Sequence, residues 1–236
     1  TQHEEAVLNN ILFMESVHAK SYSTIFISLN TTREIDEIFD WANNNEYLQY
    51  KARRINEIYQ NGTGLQQKVA SVFLETYLFY SGFYAPLWYL GNNKLENVAE
   101  IIKLIIRDES VHGTYLGYKF QLGYNQLSID EQNELKDWMY ALLFDLMENE
   151  EKYTEEIYTQ VGWTKEVNTF VHYNANKALQ NLGFEPFYPD GTAENVNPIV
   201  MNGISTDSSN HDFFSQVGNS YLMGESEAMG DDDYDF

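Results

Sequence analysis

The 236-residue chain contains no cysteine, only 4 prolines, and 14 basic side chains against 36 acidic ones, for a formal net charge of −22. Each shortage excludes something. Without thiols there is no disulfide framework, no thiolate zinc or iron–sulfur site and no cysteine nucleophile, and nothing hints at secretion, so the expected compartment is the cytoplasm. The excess negative charge repels nucleic-acid phosphates and anionic lipid, and no basic patch reverses it locally, so nucleic acid is not an expected partner. No run of about 18 apolar residues is present and Thr1 opens a polar stretch, so neither a membrane span nor a signal peptide is expected. With 14 glycines and 43% hydrophobic residues the chain is neither collagen-like nor wholly disordered, and it can bury a substantial core.

What is present is helical periodicity. Apolar residues recur at three- and four-residue steps through Val7, Leu8, Ile11, Leu12, Met14 and Val17, predicting a long helix over 4–29. Asn30 to Thr32 interrupts it, a second pattern covers 32–58, and Asn61 to Gly64 breaks the chain again. The next helix, 65–84, is apolar almost all round and therefore central, with Pro86 and Gly91 closing it. A helix over 95–122 ends at Gly123, Ser128 with Glu131 forms a capping box for one running to about Val161, and a last helix covers 164–183. From Glu185 onward prolines, glycines and polar clusters replace periodicity, and the last twelve residues hold six acids and no base. The expected architecture is all-α: a helical bundle over 1–184 and an irregular segment with an acidic tail over 185–236.

Two of the five histidines share one local pattern, Glu15-Ser-Val-His18 and Glu109-Ser-Val-His112. On a helix, positions i and i+3 share a face, so each copy presents a carboxylate beside an imidazole. One such pair is ordinarily a solvated face. Two identical pairs on two helices, with a carboxylate from each of two others, make the dinuclear iron or manganese site of ferritin-like bundles. Glu75 supplies one of those carboxylates, since it lies in VFLETYLFYSGF among apolar neighbours, where a charge is costly unless paired or metal-bound. Carboxylate and imidazole donors without thiolate suit iron or manganese. His3, His172 and His211 have no partnered spacing and receive no role. Tyr22, one turn beyond His18, would face the same interior, and Phe79, Phe83 and Ile105 would keep that interior dry.

The segments MESVHAKSYSTIF, VFLETYLFYSGFY, IIRDESVHG, YNANKALQNLGFEP, NPIV and HDFFS resemble the radical-generating small subunit of class I ribonucleotide reductases, most closely class Ib, over essentially the whole chain. The resemblance implies a ferritin-like bundle in which Glu15, His18, Glu75, Glu109 and His112 bind the two metals and Tyr22 becomes the stable radical. Phe79, Phe83 and Ile105 match its apolar surroundings. Asp108 matches the carboxylate that hydrogen-bonds a metal-ligating histidine, here His18, and Tyr221 resembles the tail tyrosine that relays the radical.

The implied partners are the large reductase subunit, a second copy of this chain and a flavodoxin-like activator. Because the chain has no cysteine, the thiols that reduce the ribose must belong to the large subunit. The acidic tail would dock on it, with Tyr234 and Phe236 as anchors. In this family a preceding helix also supplies an Asp ligand, and a Trp of the radical route lies near the N-terminus. Neither has a counterpart here, so either the chain is a fragment or an N-terminal complementing polypeptide supplies the missing helix. The rival readings are a ferritin-like iron-storage protein, a dimetal oxygenase acting on a small apolar substrate, and a metal-free scaffold subunit.

Overall fold

In a computed structural model, residues 1–189 and 195–204 are described, and every described element is helical. Helix α1 spans Gln2–Leu29, α2 Thr32–Asn44, α3 Glu46–Asn61 and α4 Gly64–Phe73. A π-helical turn, Leu74–Leu78, joins α4 to α5, Tyr80–Gly91. Then follow α6 (Glu96–Tyr124), α7 (Ile129–Tyr158), α8 (Thr164–Asn181) and a short α9 (Pro198–Ile204).

Local chemistry explains most of the boundaries. Thr31 with Glu34, Thr63 with Gln66 and Ser128 with Glu131 form capping boxes that satisfy free amides at the starts of α2, α4 and α7. The pattern expected to run as one helix over 32–58 is broken at Asn45. That residue is buried, accepts a hydrogen bond from the Leu48 amide at 2.8 Å, and donates from Nδ2 to Glu156 on α7 at 2.7 Å. A side chain that caps one helix while pinning another outweighs helical continuity.

Pro86 does not end its helix, contrary to expectation: α5 runs through it to Gly91. The lost amide bond costs about 3 kcal/mol, which is offset by neighbours such as Tyr84 and Leu87, both fully buried. The helix over 164–183 stops at Asn181, and Gly183 takes the left-handed φ of 84° that turns the chain away. The short α9 was not expected from the sequence.

The central layer is α4, the π-turn and α5, which pack against α6 and α8, while α3 and α8 also pack on α7. Its core is aromatic and aliphatic, with Phe73, Tyr77, Tyr84, Phe120 and Phe170 almost inaccessible. Close helix approach depends on two glycines of α6. A Cβ at Gly113 would lie 2.3 Å from Thr76 Oγ1, and one at Gly117 2.3 Å from the Asn181 carbonyl oxygen. Helix α1 lies against α6 and α2, and among its residues His18 alone is buried. No described helix is long and apolar enough to cross a membrane. Residues Thr1–Ile204 form one compact unit.

Candidate metal centre

Four ligand-type side chains converge between α1, the π-turn and α6. Donor atoms of Glu15, Glu75, Glu109 and His112 all lie within 4.8 Å of one another. His112, completely buried, holds Nδ1 3.1 Å from Glu109 Oε2, 3.2 Å from Glu15 Oε1 and 3.6 Å from Glu75 Oε2. His18 stands across the cluster, its ring 6.0 Å from that of His112 and its Nδ1 3.2 Å from Glu109 Oε1. Its other nitrogen, Nε2, is 3.1 Å from Asp108 Oδ2. With Nε2 protonated and donating to Asp108, the Nδ1 lone pair faces the carboxylates, the orientation that a partner carboxylate imposes on a metal-binding imidazole.

Helix geometry places these groups. Glu15 and His18 are one turn apart on the inner side of α1, and Glu109 and His112 repeat the spacing on α6. Glu75 stands in the π-turn, where the Phe79 amide reaches back to the Leu74 carbonyl at 3.3 Å and the extra residue per turn resets which side chains face inward.

Three carboxylates crowd one buried imidazole. Burial pushes the Glu109 carboxyl up to about 9, with Glu75 and Glu15 adding to the shift. Burial alone would lower His112, but its hydrogen bond to Glu109 and the close Glu15 and Glu75 carboxylates outweigh it and raise the imidazolium to about 11. The His112 imidazolium 3.2 Å away holds Glu15 below the usual carboxylate range. Glu15 Oε1, His18 Nδ1 and Glu75 Oε2 are buried without an aligned hydrogen-bond partner. Unsatisfied buried acceptors of this kind, converging from carboxylates and an imidazole, fit a pair of divalent iron or manganese ions.

Tyr22 is half-buried one turn beyond His18, and burial, together with the Glu109 and Glu15 charges, raises its phenol far above the ordinary value. It faces a groove of about 660 Å3 whose apolar walls include Phe26, Leu78, Phe79, Phe83 and Ile102. Ile105 is buried one turn before Glu109 and is not part of the groove wall. Tyr221, Tyr234, Phe236 and His211 lie outside the described residues. His172 hydrogen-bonds Glu151 at 2.9 Å, away from the cluster.

The sequence analysis missed Met14, whose sulfur is 3.3 Å from His112 Nε2. Its place directly before Glu15 was the available signal. It also missed the buried pair Lys51–Glu150, joined at 2.9 and 3.0 Å, with the Ser81 hydroxyl also donating to Glu150. Nothing in the run of acids around Glu150 distinguishes the one that is buried.

The ribonucleotide reductase small chain family model matches residues 1–198. The chain belongs to the ribonucleotide reductase small chain family. Among curated relatives, the ribonucleoside-diphosphate reductase subunit beta nrdF2 of Mycobacterium tuberculosis is 51% identical over 237 residues, covering 100% of this small chain and 73% of that protein. The ribonucleoside-diphosphate reductase 2 subunit beta of Escherichia coli is 48% identical, with 100% of this chain and 74% of that protein covered. Among solved structures, the dimanganese(II)-NrdF of Streptococcus sanguinis is 73% identical with a TM-score of 0.85, over 87% of this chain and 72% of that one.

Proposed function

We propose that this small chain is the radical-generating subunit of a class Ib ribonucleoside-diphosphate reductase, with two manganese or iron ions held by Glu15, His18, Glu75, Glu109 and His112. The observation that carries this reading is the convergence of four of these side chains within 4.8 Å, in a chain of this family. The bound metal pair supplies one-electron oxidising power to the interior. The protein's own part is to place Tyr22 one turn from His18, to surround it with apolar side chains such as Phe79 and Phe83, and to hold its phenolic proton until an electron is withdrawn. Asp108 fixes the His18 ring. An iron-storage role requires neither a tyrosine set beside the cluster in an apolar groove nor an oriented histidine, and an oxygenase would leave the Tyr22 position without a purpose.

Beyond the cluster, the 1–184 bundle serves as the radical-generating part, and the 185–236 segment, through Tyr221 and the acidic end, docks on and communicates with the large subunit. The exposed residues Leu8 and Leu12 of α1 and Val111 and Tyr118 of α6 support a homodimer face. The groove beside Tyr22 suits an apolar helix from outside these 236 residues, whether from a longer form of the chain or from a complementing polypeptide, which would also bring the further carboxylate that a four-helix dinuclear site uses. A flavodoxin-like activator would deliver the oxidant, and the working compartment is the cytoplasm.

The test is electron paramagnetic resonance with metal analysis. The samples are this chain and a chimera that adds the part of the M. tuberculosis relative outside the aligned stretch, each loaded with manganese or iron and oxidised. A tyrosyl signal in the chimera that vanishes in Tyr22→Phe while the metal content stays unchanged is the expected result. The same signal in Tyr22→Phe would reassign the radical.

A further inference from the structure

Three aromatic residues of α5, Tyr80, Tyr84 and Trp88, are spaced four apart and so form one stripe along the helix. The stripe starts five residues after Glu75, across the π-turn, and ends where α5 meets solvent. Tyr80 and Tyr84 both pack on Phe170 of α8, with ring centroids 5.7 and 5.8 Å away. Tyr84 is 6.0 Å from Trp163, and Trp163 is 4.7 Å from Trp88. Burial falls along this series: Tyr80 and Tyr84 are buried, whereas Trp163 and Trp88 are half-exposed. One phenol is also equipped to lose its proton, because the Tyr84 hydroxyl donates to Glu166 Oε2 at 2.5 Å. Ordinary core packing would account for ring contacts. It does not require oxidisable rings to follow one another from Tyr80 to the surface, Tyr80 and Tyr84 being linked through the Phe170 ring, with a carboxylate on the middle phenol.

We propose that Tyr80, Tyr84, Trp163 and Trp88 form a path that carries electrons inward from the surface, so that an oxidising equivalent arising at the carboxylate–imidazole cluster and not captured by Tyr22 moves outward as a hole and is quenched by a small thiol in solution. The path does not pass through His18 or Asp108. Tyr84 gives one electron inward through the Tyr80 and Phe170 rings, and its phenolic proton moves to Glu166. Trp163 returns an electron to Tyr84, which takes its proton back, and the deficit passes as an indole radical cation to Trp88. At the surface a thiol loses one electron and one proton, Trp88 is restored, and two thiyl radicals pair as a disulfide. The net change is a one-electron reduction of the interior oxidant at the expense of one thiol. The source of the oxidant rests on the proposed radical function, whereas the conductivity of the path does not.

The absence of cysteine makes the path directly testable, since Lys94→Cys gives a single attachment point for a ruthenium photo-oxidant, at the residue whose Nζ lies 5.8 Å from the Trp88 ring. Flash-quench photolysis of the metal-free full chain should give an indole radical first, with a tyrosyl absorption growing as it decays. Because Tyr89 and Tyr158 also contact these indoles, the variants are made in a Tyr89→Phe, Tyr158→Phe background. There Trp163→Phe and Tyr84→Phe should each lose the tyrosyl phase and Glu166→Gln should slow it while leaving the indole phase unchanged, with circular dichroism confirming that the variants are folded. An unchanged tyrosyl phase in all three variants would overturn the path.

A second measurement separates path from source. In the metal-loaded, complemented Tyr22→Phe protein treated with oxidant, peptide mass spectrometry should find oxygen added at Trp88 or Trp163. Unmodified tryptophans there, while the parent forms its Tyr22 radical, would overturn the draining role. No radical in the parent would instead overturn the proposed function and leave the photochemical result standing.

Discussion

Metal binding should be strongly proton-linked, and the structure allows the size of the effect to be worked out. In the metal-free chain burial pushes Glu109 up and the surrounding carboxylates raise His112, so the pair holds two protons at neutral pH. The two share a hydrogen bond and titrate as a unit rather than as separate sites. Glu15 is held below the usual carboxylate range and is already ionised. A metal ion needs the lone pairs that these protons occupy, so loading the cluster should expel about two protons per chain. The sign follows directly: fewer protons in the bound state means that affinity rises with pH. With two protons released, the apparent association constant should rise about a hundredfold per pH unit, roughly 2.7 kcal/mol, until Glu109 begins to ionise. Calorimetric titration with Mn(II) in buffers of contrasting protonation enthalpy, repeated between about pH 6 and 8, measures the proton count. His112→Ala should release about one proton fewer. Heats that are independent of buffer, with an affinity flat in pH, would show that the cluster is not protonated in the way its burial and contacts demand.

Lys51→Met should destabilise the fold by about 3–5 kcal/mol in denaturant unfolding, because it leaves a fully buried Glu150 carboxylate without its ammonium. The double variant Lys51→Met with Glu150→Leu should recover most of that loss. Gly117→Ala should cost about 1–3 kcal/mol, since its Cβ would lie 2.3 Å from the Asn181 carbonyl oxygen and the backbone there would have to shift. Gly82→Ala, whose Cβ would meet nothing within 4 Å, should be neutral or stabilise by up to about 1 kcal/mol in thermal melts. Deleting residues 231–236 should weaken surface-plasmon binding to the large subunit, whereas Tyr221→Phe should bind normally and fail in nucleotide-reduction assays with the complemented chain. Normal turnover in Tyr221→Phe would remove that tyrosine from the radical route.

The helical class, the capping box at Ser128 and Glu131 and the pairing of each Glu with its His were legible without coordinates because they depend on neighbours within one turn. A carboxylate and an imidazole at i and i+3 share a face in any α-helix, and a Ser followed by Glu three residues on satisfies the same two amides wherever it occurs. The apolar setting of Glu75 was likewise local. Tertiary structure decided whatever depends on partners distant in sequence. Asn45 breaks a helix because Glu156 lies opposite it, and Pro86 is tolerated because Tyr84 and Leu87 are buried by other helices. Glu75 joins the cluster through a π-turn that no periodicity announced. Glu150 is buried among exposed acids because Lys51, 99 residues away, meets it. The charge states of Glu109 and His112 belong to this second kind, for a pKa is set by desolvation and by the charges within a few ångströms, and the sequence names those groups without saying that they meet.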